Sequence, residues 1–125
     1  MSAIRHNESR SQQAVCQWWA YAWKSFGLPC EECLFAIPNG GSRRVIEAVI
    51  MKREGVRKGV SDLFLSVPRG ISCGLYIEMK TPDGRIRPEQ TKFQEAMMRL
   101  GYASMVCRSA EEAIERITTY LKDGD

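Results

Sequence analysis

Two apolar runs joined by a turn, with an acid at the matching end of each, constrain this chain more than any other stretch. Leu63-Phe-Leu-Ser-Val67 and Leu75-Tyr-Ile-Glu78 flank Pro68-Arg-Gly-Ile-Ser-Cys-Gly74. The proline and the two glycines are turn formers, so the pattern predicts an antiparallel hairpin. Asp62 precedes the first run and Glu78 closes the second, which sets the two carboxylates side by side. Side chains alternate across a strand, so Glu78 and Lys80 share one face and Met79 turns to the other, into apolar packing.

Two adjacent carboxylates repel and are costly to desolvate unless a cation lies between them. Oxygen donors alone suit Mg²⁺ or Mn²⁺ and not zinc. Such an ion polarises a phosphodiester, lowers the pKa of a bound water and offsets the charge of a leaving oxygen. An amine on the same face, Lys80, can orient or deprotonate that water or stabilise charge on the phosphate. The competing reading of the same residues is structural, with Asp62 capping a turn and Glu78 pairing with Lys80 on the surface of an edge strand.

The rest of the chain supplies elements around that hairpin. From about Ser9 to Phe26, Val15, Trp18, Trp19, Ala22 and Phe26 recur at helical spacing, and Gly27 and Pro29 stop the helix. Trp18 and Trp19 cannot both occupy the centre of one face, so one is expected at its margin; with Tyr21 they could also stack on bases or, with the six methionines, line a subunit interface. Leu34 to Ile37 reads as a short strand. Ser42 can cap a helix running to about Glu54, with Val45, Ile46, Val49 and Ile50 as its expected buried stripe. Thr81 to Gly84 is a turn, and Pro88 suits the first position of a third helix with Phe93, Ala96, Met97 and Leu100 inward, closed by Gly101. Ala103 to Cys107 is the fourth strand, and Ser109 with Glu112 opens a last helix that buries Ala113, Ile117 and Leu121. The order αβαββαβα predicts an α/β fold, a sheet with helices on both faces.

The sequence Gly59-Val-Ser-Asp62, the strand ending Glu78-Met-Lys80, and Arg87-Pro-Glu-Gln90 opening a helix resemble the VRR-NUC family of the PD-(D/E)XK nuclease superfamily. The resemblance extends from the first helix through Pro38-Asn-Gly-Gly41 and Arg43 to Val106-Cys-Arg-Ser-Ala-Glu-Glu-Ala113, nearly the whole chain in the right order. It implies a restriction-endonuclease-like core with a central four-stranded mixed sheet flanked by helices. It further implies that Asp62 and Glu78 bind a divalent metal, Mg²⁺ or Mn²⁺, with the Met79 backbone carbonyl, that Lys80 is catalytic, and that Gln90 supports the site. A glutamate on the first helix often completes the set; Glu8 is the matching position, while Gln12 or Gln13 could take the helix-one polar role instead. The proline usual before the aspartate is Ser61 here. Stand-alone members resemble dimeric junction-resolving enzymes of phages and bacteria, which implies a homodimer acting on branched DNA.

Charge is compatible with such a substrate. The net charge is only +3, yet Arg43, Arg44, Lys52, Arg53, Arg57 and Lys58 face only Glu47 and Glu54 in their stretch, and Arg85 and Arg87 follow the Glu78–Lys80 strand. Basic groups of this kind neutralise phosphates without reading sequence. Asn39, Gly40 and Gly41 could bring backbone amides to a phosphate that Arg43 grips, although a plain turn and a solvated helix face explain the same residues.

At 125 residues, 44% hydrophobic and 26% charged, the chain is expected to be one globular domain, 1–125, and not a disordered one. No apolar run approaches the ~20 residues of a membrane-spanning helix, and Met1-Ser-Ala-Ile-Arg-His lacks a signal-peptide core, so a cytoplasmic location, in a bacterial cell or a phage-infected host, and no membrane partner are expected. Five cysteines make an odd set, without the pairing of a disulfide framework. Cys30-Glu-Glu-Cys33 lacks a second pair of zinc ligands and precedes a strand where a redox motif would open a helix, so incidental thiols are expected and no zinc. The sequence reading is therefore a divalent-metal-dependent deoxyribonuclease, with a non-catalytic nucleic-acid-binding protein on a degenerate nuclease fold as its alternative.

Overall fold

A computed structural model describes residues 3–38 and 44–124 of the chain. Helix α1 spans Ala3–Ala22 and runs on into a 3₁₀ turn, Trp23–Phe26; a second 3₁₀ turn, Glu31–Cys33, leads into β1, Leu34–Ala36. Then follow α2 (Val45–Arg53), β2 (Leu63–Leu65), β3 (Leu75–Met79), α3 (Pro88–Arg99), β4 (Ala103–Cys107) and α4 (Ala110–Asp123). The element order is the one the sequence predicts. The first helix starts earlier than its periodicity suggested, and its last turn is 3₁₀ up to Gly27, whose φ of 72° ends it.

The described strands form one sheet in the order β1-β2-β3-β4. β1 and β3 pair antiparallel with β2, so the expected hairpin is present, and β4 joins β3 in parallel after the α3 crossover. In this register Leu34, Leu63, Leu65, Leu75, Ile77, Met79, Met105 and Cys107 share one face of the sheet, and all are buried. Val15 and Trp19 of α1 and Ala113, Ile117, Tyr120 and Leu121 of α4 complete that core. Each such aliphatic side chain contributes about 1.5–3 kcal/mol when fully withdrawn from water. Trp18 lies at the margin, tilted against Trp19 and edge-on to Phe26. The Tyr120 hydroxyl donates to the Val67 carbonyl at 2.7 Å, tying α4 to the end of the β2 run.

The opposite face carries an aromatic row. Phe35, Phe64 and Tyr76 lie on adjacent strands, with Phe64 and Tyr76 centroids 4.4 Å apart, and Phe93 of α3 meets Tyr76 edge-on. Asp62, Glu78 and Lys80 belong by alternation to this second face, beyond the aromatic row.

Two expectations about packing fail. The stripe of α2 is turned to solvent, with Val45 81%, Ile46 72%, Val49 43% and Ile50 49% exposed. The less exposed positions of that helix are Glu47 and Met51, so its aliphatic stripe points away from the chain's own core. Helical periodicity identifies a face without saying what it meets. Ser42, its expected cap, lies outside the described residues. Leu100 is likewise 65% exposed, because α3 ends at Arg99 and the chain turns away through Gly101 at φ 98°. Phe93, Ala96 and Met97 are half-buried, as an inner face requires.

Candidate active site

The site grows from the ends of β2 and β3. Asp62 stands one residue before β2, where its Oδ2 accepts the backbone N–H of Met79 at 2.7 Å. That bond fixes the carboxylate across the hairpin from Glu78. The backbone before Asp62 needs glycine: Gly59 is buried with a φ of 85°, and a Cβ there would collide with the backbone carbonyl of Glu89 in the first turn of α3. Gly59 thus lets the Asp62 segment lie directly against α3.

Glu78 and Lys80 are almost fully buried, 2% and 7% exposed. The Lys80 ammonium lies 3.7 Å from Glu78 Oε2. The same oxygen accepts from Gln90 Nε2 at 3.0 Å, while Gln90 Oε1 accepts the Arg87 N–H at 2.9 Å. Gln90 therefore caps α3 with one end of its amide and holds the site with the other. The remaining oxygen, Glu78 Oε1, is buried and has no hydrogen-bond partner among the described residues. Burial, then the charge of Asp62, pushes the Glu78 carboxyl up to about 8, and Asp62 is raised by burial as well. The two carboxyls tolerate this closeness by sharing a proton or by sharing a cation.

Glu8 also bears on this centre, since its charge adds to the upward pressure on Glu78. Gln13, its helix-one alternative, instead donates to Ser9 Oγ on its own helix at 3.0 Å. Among the described residues no three His, Cys, Asp or Glu side chains converge as a ready-made metal cage. A pair of carboxylates with one orphaned oxygen still fits Mg²⁺ or Mn²⁺, which commonly bind through one or two carboxylates and complete their shell with water and phosphate.

Several of the basic residues expected at a nucleic acid lie close in sequence to the segments that build this centre. Arg57 and Lys58 immediately precede Gly59, Arg85 and Arg87 precede α3, and all four are exposed. Arg57 donates to the Lys52 carbonyl at 3.3 Å, and Arg44 is paired with Glu47 at 3.1 Å. Asn39, Gly40, Gly41 and Arg43 lie outside the described residues. Arg108 is a positioning residue that sequence reasoning passed over. Its Nη1 donates to the carbonyls of Thr81 at 2.8 Å, Pro82 at 3.3 Å and Gly84 at 2.7 Å, clamping the turn that follows Lys80. Its partners are backbone atoms far away in sequence, which leave no residue-type signal. Ser109 caps α4 by accepting from the Glu112 N–H, while the Glu112 carboxylate accepts from the Arg108 N–H, one residue before the expected capping-box position.

A search of curated proteins returned no match. A solved structure titled "VRR_NUC domain protein" superposes with a TM-score of 0.79 at 29% identity, covering 95% of this chain and 91% of that one. The family profile described as "VRR-NUC domain" matches residues 2–111, a span that contains the hairpin, the buried Glu78–Lys80 pair and the Gln90 cap. The chain belongs to the VRR-NUC family, a nuclease-type domain built on a mixed α/β sheet.

Proposed function

We propose that this chain is a divalent-metal-dependent endonuclease that hydrolyses DNA phosphodiester bonds, selects branched structures such as four-way junctions, and works as a homodimer. The observation that carries the reading is Glu78 Oε1, buried without a donor beside the Asp62 carboxyl and next to a buried lysine. Asp62, Glu78, the Met79 backbone carbonyl and Glu8 are the groups that would hold Mg²⁺ or Mn²⁺. Such an ion, when bound, supplies Lewis acidity toward the scissile phosphate. Lys80, an ammonium beside Glu78, would orient the attacking water and screen the charge that builds on the phosphate. Gln90 keeps Glu78 from rotating away. Asn39, Gly40, Gly41, Arg43, Arg44, Arg57, Lys58, Arg85 and Arg87 grip phosphates on either side of the break, a contact that weakens as salt rises.

The homodimer is supported by α2. Its exposed stripe of Val45, Ile46, Val49 and Ile50 is apolar surface that a second copy would cover, and a two-fold pair would place one site on each strand of a branched substrate.

The test is cleavage of labelled duplex, single-stranded, flap and four-way-junction DNA with Mg²⁺, Mn²⁺ or chelator. Lys80→Ala should lower the rate by about 10²–10⁴-fold, and Asp62→Ala should abolish cutting, both with an unchanged circular dichroism spectrum. DNA binding without cutting in every metal would replace this reading with that of a non-catalytic DNA-binding protein.

A further inference from the structure

The turn that feeds β1 holds a pair of thiols outside the carboxylate centre. Cys30 Sγ and Cys33 Sγ stand 3.9 Å apart across the 3₁₀ turn, Cys33 buried and Cys30 half-buried. Cys33 N–H donates to the Cys30 carbonyl at 3.4 Å. Such an i to i+3 turn keeps its end Cα atoms within about 7 Å, overlapping the ~4.4–6.8 Å that a disulfide spans. Rotation about the two Cα–Cβ bonds is then the main movement that closure requires.

The turn is also a structural joint. Trp19 Nε1 of α1 donates to the Glu31 carbonyl inside it at 2.6 Å. The Cys33 carbonyl accepts from both the backbone N–H and the hydroxyl of Ser66, at 2.8 and 3.2 Å. At the far end of β1, the Ile37 N–H donates to the Asp62 carbonyl at 2.8 Å. A bond between the two sulfurs would thus fix the point where α1 meets the strand pair that carries Asp62.

We propose that Cys30 and Cys33 form a reversible disulfide site, closed by exchange with a small-molecule disulfide. The Cys30 thiolate attacks one sulfur of that disulfide, forming a mixed disulfide and releasing one thiolate. The Cys33 thiolate then attacks the Cys30 sulfur, forming the internal bond and expelling the second thiolate. The protein loses two protons and two electrons, and the oxidant leaves as two thiols. The hydrogen bond shared with Cys33, ahead of burial, raises the Cys30 thiol above its usual range, so little thiolate is present near neutrality and exchange quickens as pH rises. Cys16 lies close enough to feel the charge of Glu31 and is the third thiol of this region.

The test is incubation of the full chain with oxidised glutathione at mildly alkaline pH, followed by alkylation and tryptic mass analysis. In wild type, the peptide Ser25–Arg43, which contains both thiols, should lose two hydrogens and resist alkylation until dithiothreitol is added. Cys33→Ser should instead retain glutathione on Cys30, and Cys16→Ser should leave the bridge unchanged. The proposal is overturned if wild-type Cys30 stays reduced, if it keeps glutathione stably, or if it bridges to Cys16. None of these readouts depends on DNA cleavage, so the disulfide and the nuclease reading stand or fall separately.

Discussion

Glu78 stands in surroundings that favour its protonated form. Its carboxyl is raised from 4.5 to about 8, first by burial and then by Asp62, and Asp62 moves in the same direction. A raised carboxyl contributes stability that is complete below the ordinary carboxylate pKa and is lost as pH climbs through the folded value. Chelator-treated protein should therefore melt at progressively lower temperature between about pH 4.5 and pH 8, where its buried pair is forced to ionise. Glu78→Gln should flatten that slope, and Mg²⁺ should restore the wild-type melting temperature at the alkaline end. A wild-type profile that is flat in chelator and unmoved by Mg²⁺ would show that the two carboxyls are not coupled in this way.

At the scale of elements, the hairpin is held to α3 by a glycine and to the next turn by an arginine. Gly59→Ala introduces a Cβ against the Glu89 carbonyl at a left-handed φ, so a loss of about 1–3 kcal/mol or more is expected in urea unfolding. Arg108→Met removes three bonds to carbonyls. It should cost about 1.5–3 kcal/mol and lower cleavage through displacement of Lys80, with bound-metal affinity largely unchanged. These two residues also mark how far the sequence could be read. Asp62, Glu78 and Lys80 were legible because strand alternation and a single turn determine where their side chains go. Gly59 was visible as part of a motif, but its collision partner belongs to an element thirty residues on. Arg108 acts on backbone carbonyls, which every residue possesses, so composition and spacing hold no trace of its role. The stripe of α2 is visible in the sequence and its exposure is not, because helical spacing reports which residues share a face and not the surface that face meets.

For the whole molecule, that stripe is a run of four exposed aliphatic residues on one helix among the described residues. Val49→Asp, at an exposed position of α2, should leave the helix content unchanged and convert the proposed dimer into a particle of the 14.2 kDa chain mass in sedimentation equilibrium. A wild-type chain that sediments as a monomer at micromolar concentration would remove the two-fold arrangement. Stability is also unevenly shared, since the inner face of α4 and the Leu-rich face of the sheet are buried whereas α3 begins in exposed residues, Arg87 and Pro88. Helix ends of this kind open locally before the core does. Gln90 links that opening to the chemistry, because the amide that caps the first turn of α3 is the one that steadies Glu78. Warming the enzyme should therefore silence it while its spectrum still reads as folded, and cooling should revive it: the first turn of one helix would serve as a thermal fuse for the active site.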